Sequence, residues 1–177
     1  MKHLLVIILA LLSATAGVAA RDTEVSLSYG VAPAMSHLSA FNGHWNGMSN
    51  CWGTVNATID HRFAENLWIG LNYTFSTADS DHAVADRYGK LTWHGLMCNI
   101  RYEWYTAPRW RLYSHIGVGV LVEYFDPSWE DSYNRTNWAF QASPIGIEGD
   151  LCRNVALFAE FGYGMQGVGK AGIRIGF

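Results

Sequence analysis

The sequence has little of what marks soluble enzymes and nucleic-acid-binding domains. Charged residues make up only 15% of it, with 15 acids against 12 bases for a net charge of −3, and no cluster of Lys or Arg stands out. Nucleic acid is held chiefly by basic residues against phosphate, so it is not an expected partner. Cysteine is scarce. Cys51, Cys98 and Cys152 are an odd number at wide spacing, unlike the even, close set of a disulfide framework. None lies in a Cys-x-x-Cys pair or in a Cys/His cluster with metal-ligand spacing, so neither a metal nor another cofactor is expected. Proline occurs four times, and no linker, low-complexity tract or second domain interrupts the 177 residues.

The first 20 residues stand apart. Lys2 and His3 give a short positive start, Leu4 to Leu12 form an almost unbroken apolar run, and small residues follow from Ser13 to Ala20. The run is short for a membrane-spanning helix, and Val18-Ala19-Ala20 places small side chains where a signal peptidase inspects them. Residues 1–20 are therefore expected to be a cleaved Sec signal peptide, cut before Arg21. No Cys follows the run, so a lipoprotein is not expected. Residues 21–177 remain as one domain.

Aromatic residues and glycine are abundant: eight Trp, nine Tyr and eight Phe accompany 18 Gly. Apolar and polar residues then alternate eight times. Val25, Leu27, Tyr29 and Val31 alternate with Glu24, Ser26, Ser28 and Gly30; Val55, Ala57, Ile59 and Phe63 with Asn56, Thr58, Asp60 and Arg62. Leu67 to Phe75, Leu96 to Trp104 and Ile116 to Tyr124 repeat the pattern, as do Val155 to Phe161 and Ala171 to Phe177. Period two over such lengths predicts strands with two unlike faces. The sixth stretch changes phase, from Trp138, Phe140 and Ala142 to Ile145 and Ile147. Pro144 sits at the change and cannot donate a ladder hydrogen bond, which predicts a β-bulge.

The connections alternate in length. Ala64-Glu65-Asn66, Thr106-Ala107-Pro108 and Cys152-Arg153-Asn154 are short. Residues 32–50, 78–87 and 126–135 are longer and polar, and 164–167 is brief. Short turns at one end and longer loops at the other, with an even strand count, predict an all-β, eight-stranded, antiparallel, up-and-down transmembrane β-barrel with both termini at the turn end.

A soluble barrel also alternates, with its apolar face inward. Here the polar face carries mid-strand charges of both signs: Asp60, Arg62, Arg101, Glu103, Glu123, Glu148, Glu160 and Arg174. Such charges can neutralise one another inside a closed lumen, where unpaired charge is costly. The opposite face is aliphatic in its middle and aromatic towards its ends, at Phe63, Tyr73, Phe75, Tyr102, Trp104 and Tyr124, as a lipid-facing band with girdles would be. Arg174 is expected to pair with Glu160 on the neighbouring strand or with another nearby acid.

The last eight residues run Lys170-Ala171-Gly172-Ile173-Arg174-Ile175-Gly176-Phe177. Lys170, Gly172, Ile175 and Phe177 give a polar residue, a Gly two later and an apolar-x-aromatic end. This octet resembles the C-terminal assembly signal of Gram-negative outer-membrane proteins. With the eight-strand pattern, the whole domain resembles the small OmpX/OmpA-type barrels. The resemblance implies delivery to the barrel-assembly machinery, residence in the outer membrane and contact with lipopolysaccharide. OmpA-type proteins also carry a peptidoglycan-binding domain for which these residues leave no room, so wall anchoring is not expected.

Two families of small outer-membrane barrels modify lipid A, one as a palmitoyltransferase and one as a deacylase, with His, Ser and acidic residues near the outer rim. His37 and His44 in the first long loop and Asp79-Ser80-Asp81-His82 in the second are the candidates for such chemistry. Neither active-site pattern matches, and loop Ser, Asp and His commonly serve turns and solubility. Eight strands leave an interior just wide enough for side chains, so a wide pore is not expected, and a small-conductance pore stands with a lipid A-modifying enzyme as an alternative reading. His94 and His115 are expected to be hydrogen-bonding residues of the rim or lumen, and the Asn-x-Ser/Thr triplets at Asn56, Asn72 and Asn134 have no role in this setting. The expectation is a non-enzymatic scaffold whose loops, such as Ser128-Trp129-Glu130-Asp131-Ser132-Tyr133-Asn134, serve an extracellular ligand, adhesion or envelope integrity.

Overall fold

Each alternating stretch is a strand. The structure, a computed structural model, describes residues 22–36, 48–49, 51–82, 87–127 and 132–177. The leader expected over residues 1–20 lies outside them. The strands are β1 (Thr23–Val31), β2 (Thr54–Ala64), β3 (Leu67–His82), β4 (Arg87–Thr106), β5 (Trp110–Pro127), β6 (Tyr133–Cys152), β7 (Val155–Gly164) and β8 (Gly169–Gly176). Each pairs antiparallel with the next, and β1 also pairs with β8, so the sheet closes on itself. The closing register sets Ser26 opposite Arg174 and Leu27 opposite Ile173. The Phe177 N–H donates to the Thr23 carbonyl at 2.9 Å, which brings both ends of the described chain to the turn end.

The faces follow the alternation. Leu27, Leu71, Ile100, Val118, Ile147, Leu157 and Ile173 point outward and are exposed, Val118 to 64%. Asn56, Asn72, Asn99, Arg101, Glu148 and Arg174 point into the lumen and are buried. At Pro144 the expected bulge is present: Ser143 to Gly146 of β6 opposes only His115 to Tyr113 of β5, and Ala142 to Ile145 opposes Tyr163 to Phe161 of β7. The Ser114 hydroxyl donates to the Pro144 carbonyl at 2.7 Å. The extra residue keeps Ile145 and Ile147 outward and Glu148 inward, which strict period two would have reversed.

Two expected loops are shorter than the polar composition implies. β3 continues through Ala78–His82 and β4 begins at Arg87, while β5 reaches Pro127 and β6 begins at Tyr133. Backbone pairing goes on where the side chains stop alternating, because beyond the apolar band neither face needs to be greasy. β3 to β6 run 16, 20, 18 and 20 residues, whereas β1, β2, β7 and β8 run 9, 11, 10 and 8. About 9–11 tilted residues cross a bilayer, so four consecutive strands rise past the rim at the loop end as a wall. A two-residue strand, Met48–Ser49, pairs with Asp79 and Ser80 on the edge of that wall.

A narrow ring needs small residues opposite large ones. Tyr113 faces Gly146 across β5 and β6, and a β-carbon at Gly146 would lie 2.5 Å from two carbons of the Tyr113 ring. Gly149, on the same strand, has nothing within 4 Å of that position. Gly146→Ala should therefore lower the urea midpoint of the detergent-folded protein by an amount equivalent to about 1–3 kcal/mol of overpacking. Gly149→Ala should leave it within about 0.5 kcal/mol, as surface changes do; equal effects would mean that Tyr113 does not lie across Gly146.

Candidate functional site

The inward side chains fall into three zones. Nearest the turns, three guanidinium groups meet four carboxylates. Arg111 lies directly opposite Glu148 across β5 and β6 and is hydrogen-bonded to it. Arg101 reaches across the lumen from β4 to hydrogen-bond Glu24 on β1, and lies 3.3 Å from Glu148 and 3.6 Å from Glu103. Arg174 on β8 is hydrogen-bonded to Glu148 and lies 3.6 Å from Glu24. Arg111 also lies 3.6 Å from Glu24 and 3.2 Å from Asp150. Glu148, 1% exposed, thus serves all three arginines. Aromatic rings separate the charges: Trp68 lies between Arg62 and Arg101, each 4.6 Å from its centroid, and Phe158 lies 4.5 Å from Arg174. The rings hold the weakly hydrated guanidinium planes without adding charge.

The second zone is built on Glu160. Lys170 lies opposite it in register, with Nζ 2.9 Å from Oε2, His115 Nδ1 is 3.2 Å from the same oxygen, and the Tyr113 hydroxyl donates to Oε1 at 3.0 Å. Tyr113 also lies 5.5 Å from Arg101 and 5.4 Å from Arg174, so it spans the two zones. The third zone, towards the loops, is apolar. Ala78, Leu91, Trp93, Met97, Leu121, Phe125 and Ala139 pack there with Met35, from a short 3-10 turn at Ala34–Ser36, and with Met165, from the connection after β7.

Of the charges expected in the lumen, Arg101, Glu103, Glu148 and Arg174 come together in the first zone. Asp60 is buried opposite Glu24 but joins none of these ion pairs, and Arg62 meets Trp68 instead. Glu160 is not the partner of Arg174. Register puts Lys170 opposite Glu160 and leaves Arg174 opposite Ala156, so the nearby acids it meets are Glu148 and Glu24. Glu123 lies apart, near the loops, where it accepts from Trp93 Nε1 at 2.8 Å. Glu24 and Arg111 were missing from the expected set, although each shares inward parity with its neighbours: Glu24 with Ser26, and Arg111 with Tyr113 and His115. Of the terminal octet, Lys170 faces the lumen and Gly172 lies opposite Ser28, where a β-carbon would meet that residue at 2.5 Å. Ile175 and Phe177 are half-buried at the turn end.

On the outer surface, no Asp, Glu, Lys or Arg occupies an outward strand position among the described residues until Asp79, Lys90 and Asp126. These three form one row, with Lys90 opposite both acids. Just below it, His94 is ringed by Tyr73, Phe75 and Tyr124, with the Tyr73 oxygen 2.6 Å from its Nδ1. Phe63, Tyr102, Trp104, Tyr105 and Trp110 form the opposite belt. His37 and His44 lie outside the described residues. Of Ser80, Asp81 and His82 only the backbone is described, at the end of β3. Among the described residues no three His, Cys, Asp or Glu side chains gather as they would around a metal ion.

The closed ring and its chain-order pairing match a known architecture. Neisserial surface protein A (NspA) is similar in shape, at 11% identity and a TM-score of 0.56, covering 88% of this chain and 96% of that one. The fold is that of the small eight-stranded outer-membrane barrels. The N-terminal β-barrel domain of Pseudomonas aeruginosa OprF (12% identity, TM-score 0.48, 89% and 98% covered) and Yersinia pestis Ail (17%, 0.47, 88% and 100%) superpose less well. At such identities the likeness concerns the fold alone. No protein-family model and no curated protein matches the sequence.

The first zone makes a test of the inward assignment. Removing one partner of a buried ion pair strands the other, at a cost of about 3–5 kcal/mol. Arg174→Leu should lower the unfolding midpoint far more than Ile173→Leu, which exchanges one exposed outward aliphatic side chain for another. Small, equal effects would place Arg174 in solvent.

Proposed function

We propose that this chain is a non-catalytic integral protein of the Gram-negative outer membrane, a scaffold that displays its raised strands and loops outside the cell. One observation carries the proposal: the barrel is apolar on the outside and charged within. Leu27, exposed to 62%, and its outward neighbours all round the ring form a surface far larger than the few hundred Å² of contiguous apolar area a soluble monomer shows. Between two aromatic belts such a surface is at home in hydrocarbon and poorly suited to water. The Asp79–Lys90–Asp126 row marks where β3 to β5 leave the lipid.

The short turns then lie in the periplasm, and the wall of β3 to β6 stands outside, where exposed side chains such as Ser132 and Arg135 are available to a ligand or adhesion partner. NspA, a neighbour of similar shape, is named a surface protein. Lipopolysaccharide is the surrounding lipid of the outer leaflet. The signal peptide and the terminal octet fit export followed by handover to the assembly machinery.

The protein should fractionate with the outer membrane and, unboiled, migrate differently on gels from the boiled chain, because the closed ladder survives cold detergent. Recovery with the soluble periplasm and no heat-dependent shift would replace the proposal with a soluble barrel. His44→Ala, Ser80→Ala and His82→Ala should each leave the lipid A mass spectrum unchanged; loss of an acyl-chain modification in any of them would make the protein a lipid A-modifying enzyme.

A further inference from the structure

The polar and apolar halves of the lumen meet at Asn99. Its side chain is 1% exposed, and among the described residues neither its Oδ1 nor its Nδ2 has a hydrogen-bond partner. The flanking cross-strand residues are glycines, Gly70 on β3 and Gly117 on β5; the Asn99 amide lies over Gly117 and the Asp60 carboxylate over Gly70, yet that carboxylate is not within hydrogen-bonding reach of the amide. The next inward pair towards the turns, Trp68 and Arg101, adds two more partnerless buried donors, Trp68 Nε1 and Arg101 Nε. An unmet buried polar atom costs about 1–3 kcal/mol, and four clustered along adjacent rows are not tolerated without a partner. Water is the partner small enough for a lumen already crossed by side chains.

Its route is at the turn end. There Arg62 and Asp150 are half-buried, and between them and Asn99 the lumen is crossed by the hydrophilic ion pairs of the first zone, with Ser26, Thr58 and Asn72 on the wall. From the loop end the path is different. It crosses Leu91 and Phe125, then Trp93, then Leu121, then Met97, each at most 2% exposed, with Met35 and Met165 packed among them. Glu123, in this section, is engaged by Trp93 Nε1. Next to Met165, Gln166 is buried and tied to Gln141, Thr54 and Lys170, with its Nε2 unpartnered among the described residues; the apolar residues carry the seal, since hydrophobic constrictions close pores by staying dry.

We propose that the barrel is a one-ended vestibule: water fills the lumen from the turn end as far as Asn99, and an apolar stopper centred on Trp93 seals it from the loop side. The inference rests on the membrane placement above. Met35 and Met165 belong to connections on the loop side, so an event there that withdraws them joins the hydrated half to the outside and opens a path for water and small ions. The barrel is thereby a conditional small-ion pore, closed by packing.

The test uses the folded chain in planar bilayers, with heat-dependent gel mobility as the check on folding and insertion. The native barrel should show no discrete steps above the bare bilayer, and Trp93→Ala/Met165→Ala should raise conductance at least tenfold. A folded double variant that conducts no more than the native barrel overturns the stopper, as does a native barrel that already conducts. If the double variant does not fold, Asn99→Cys decides, made with Cys51, Cys98 and Cys152 replaced by Ser in oriented proteoliposomes. Silver ion added on the turn side should block later alkylation of this thiol after denaturation, and silver added on the loop side should not. A thiol untouched from the turn side, or reached from the loop side, overturns the inference. Loss of the heat-dependent shift in the native protein overturns the membrane placement itself, so the two failures are distinct.

Discussion

In hydrocarbon an unpaired strand edge has no water to bond, so the backbone pairing of β1 with β8 is the contact on which the rest of this barrel depends. Antiparallel strands joined in chain order can close only if the first and last run in opposite senses, which requires an even number. Eight satisfies this and brings Thr23 and Phe177 to the same end. Closure also fixes the width of the lumen. A ring this narrow has no room for large side chains on every strand, and Gly146 beneath Tyr113 and Gly172 beside Ser28 are where the ring yields.

Closure with lipid outside leaves charges one place to go. Glu24, Arg101, Arg111, Glu148 and Arg174 are on five different strands, yet they meet because the inward faces converge on one axis. Burying ions is expensive, and mutual attraction offsets this only when the geometry supplies several partners to each. Glu148 with three arginines, and Glu160 with Lys170, His115 and Tyr113, meet that condition. Towards the loops the solution changes from paired charge to apolar packing, and the two kinds of interior meet at Asn99.

Much of this was legible in the sequence, because lipid on one side and packed polar groups on the other impose period two at every crossing. Even its interruption was marked, since Pro144 cannot donate to the ladder and so announced the bulge. What was hidden depends on neighbours. The partner of Arg174 is set by cross-strand register, which places Lys170 and not Arg174 beside Glu160. The tops of β3 to β6, at 78–82, 87, 126–127 and 133–135, read as loops because alternation fades once both faces leave the lipid. The apolar stopper escaped notice because Leu91, Trp93, Met97 and Leu121 occupy inward positions where polar residues were expected, and only the structure shows Met35 and Met165 packed upon them.

The central claim is that the outward aliphatic face lies against acyl chains. It can be read directly from the perdeuterated protein in lipid nanodiscs, by nuclear Overhauser effects from lipid methylene protons to backbone amides. Cross-peaks to the methylenes are expected at Leu27, Leu71, Ile100, Val118, Ile147, Leu157 and Ile173. Asp79, Lys90 and Asp126 should show cross-peaks to water only. Water cross-peaks along the whole length of β5, with none to lipid at Val118, would contradict the account.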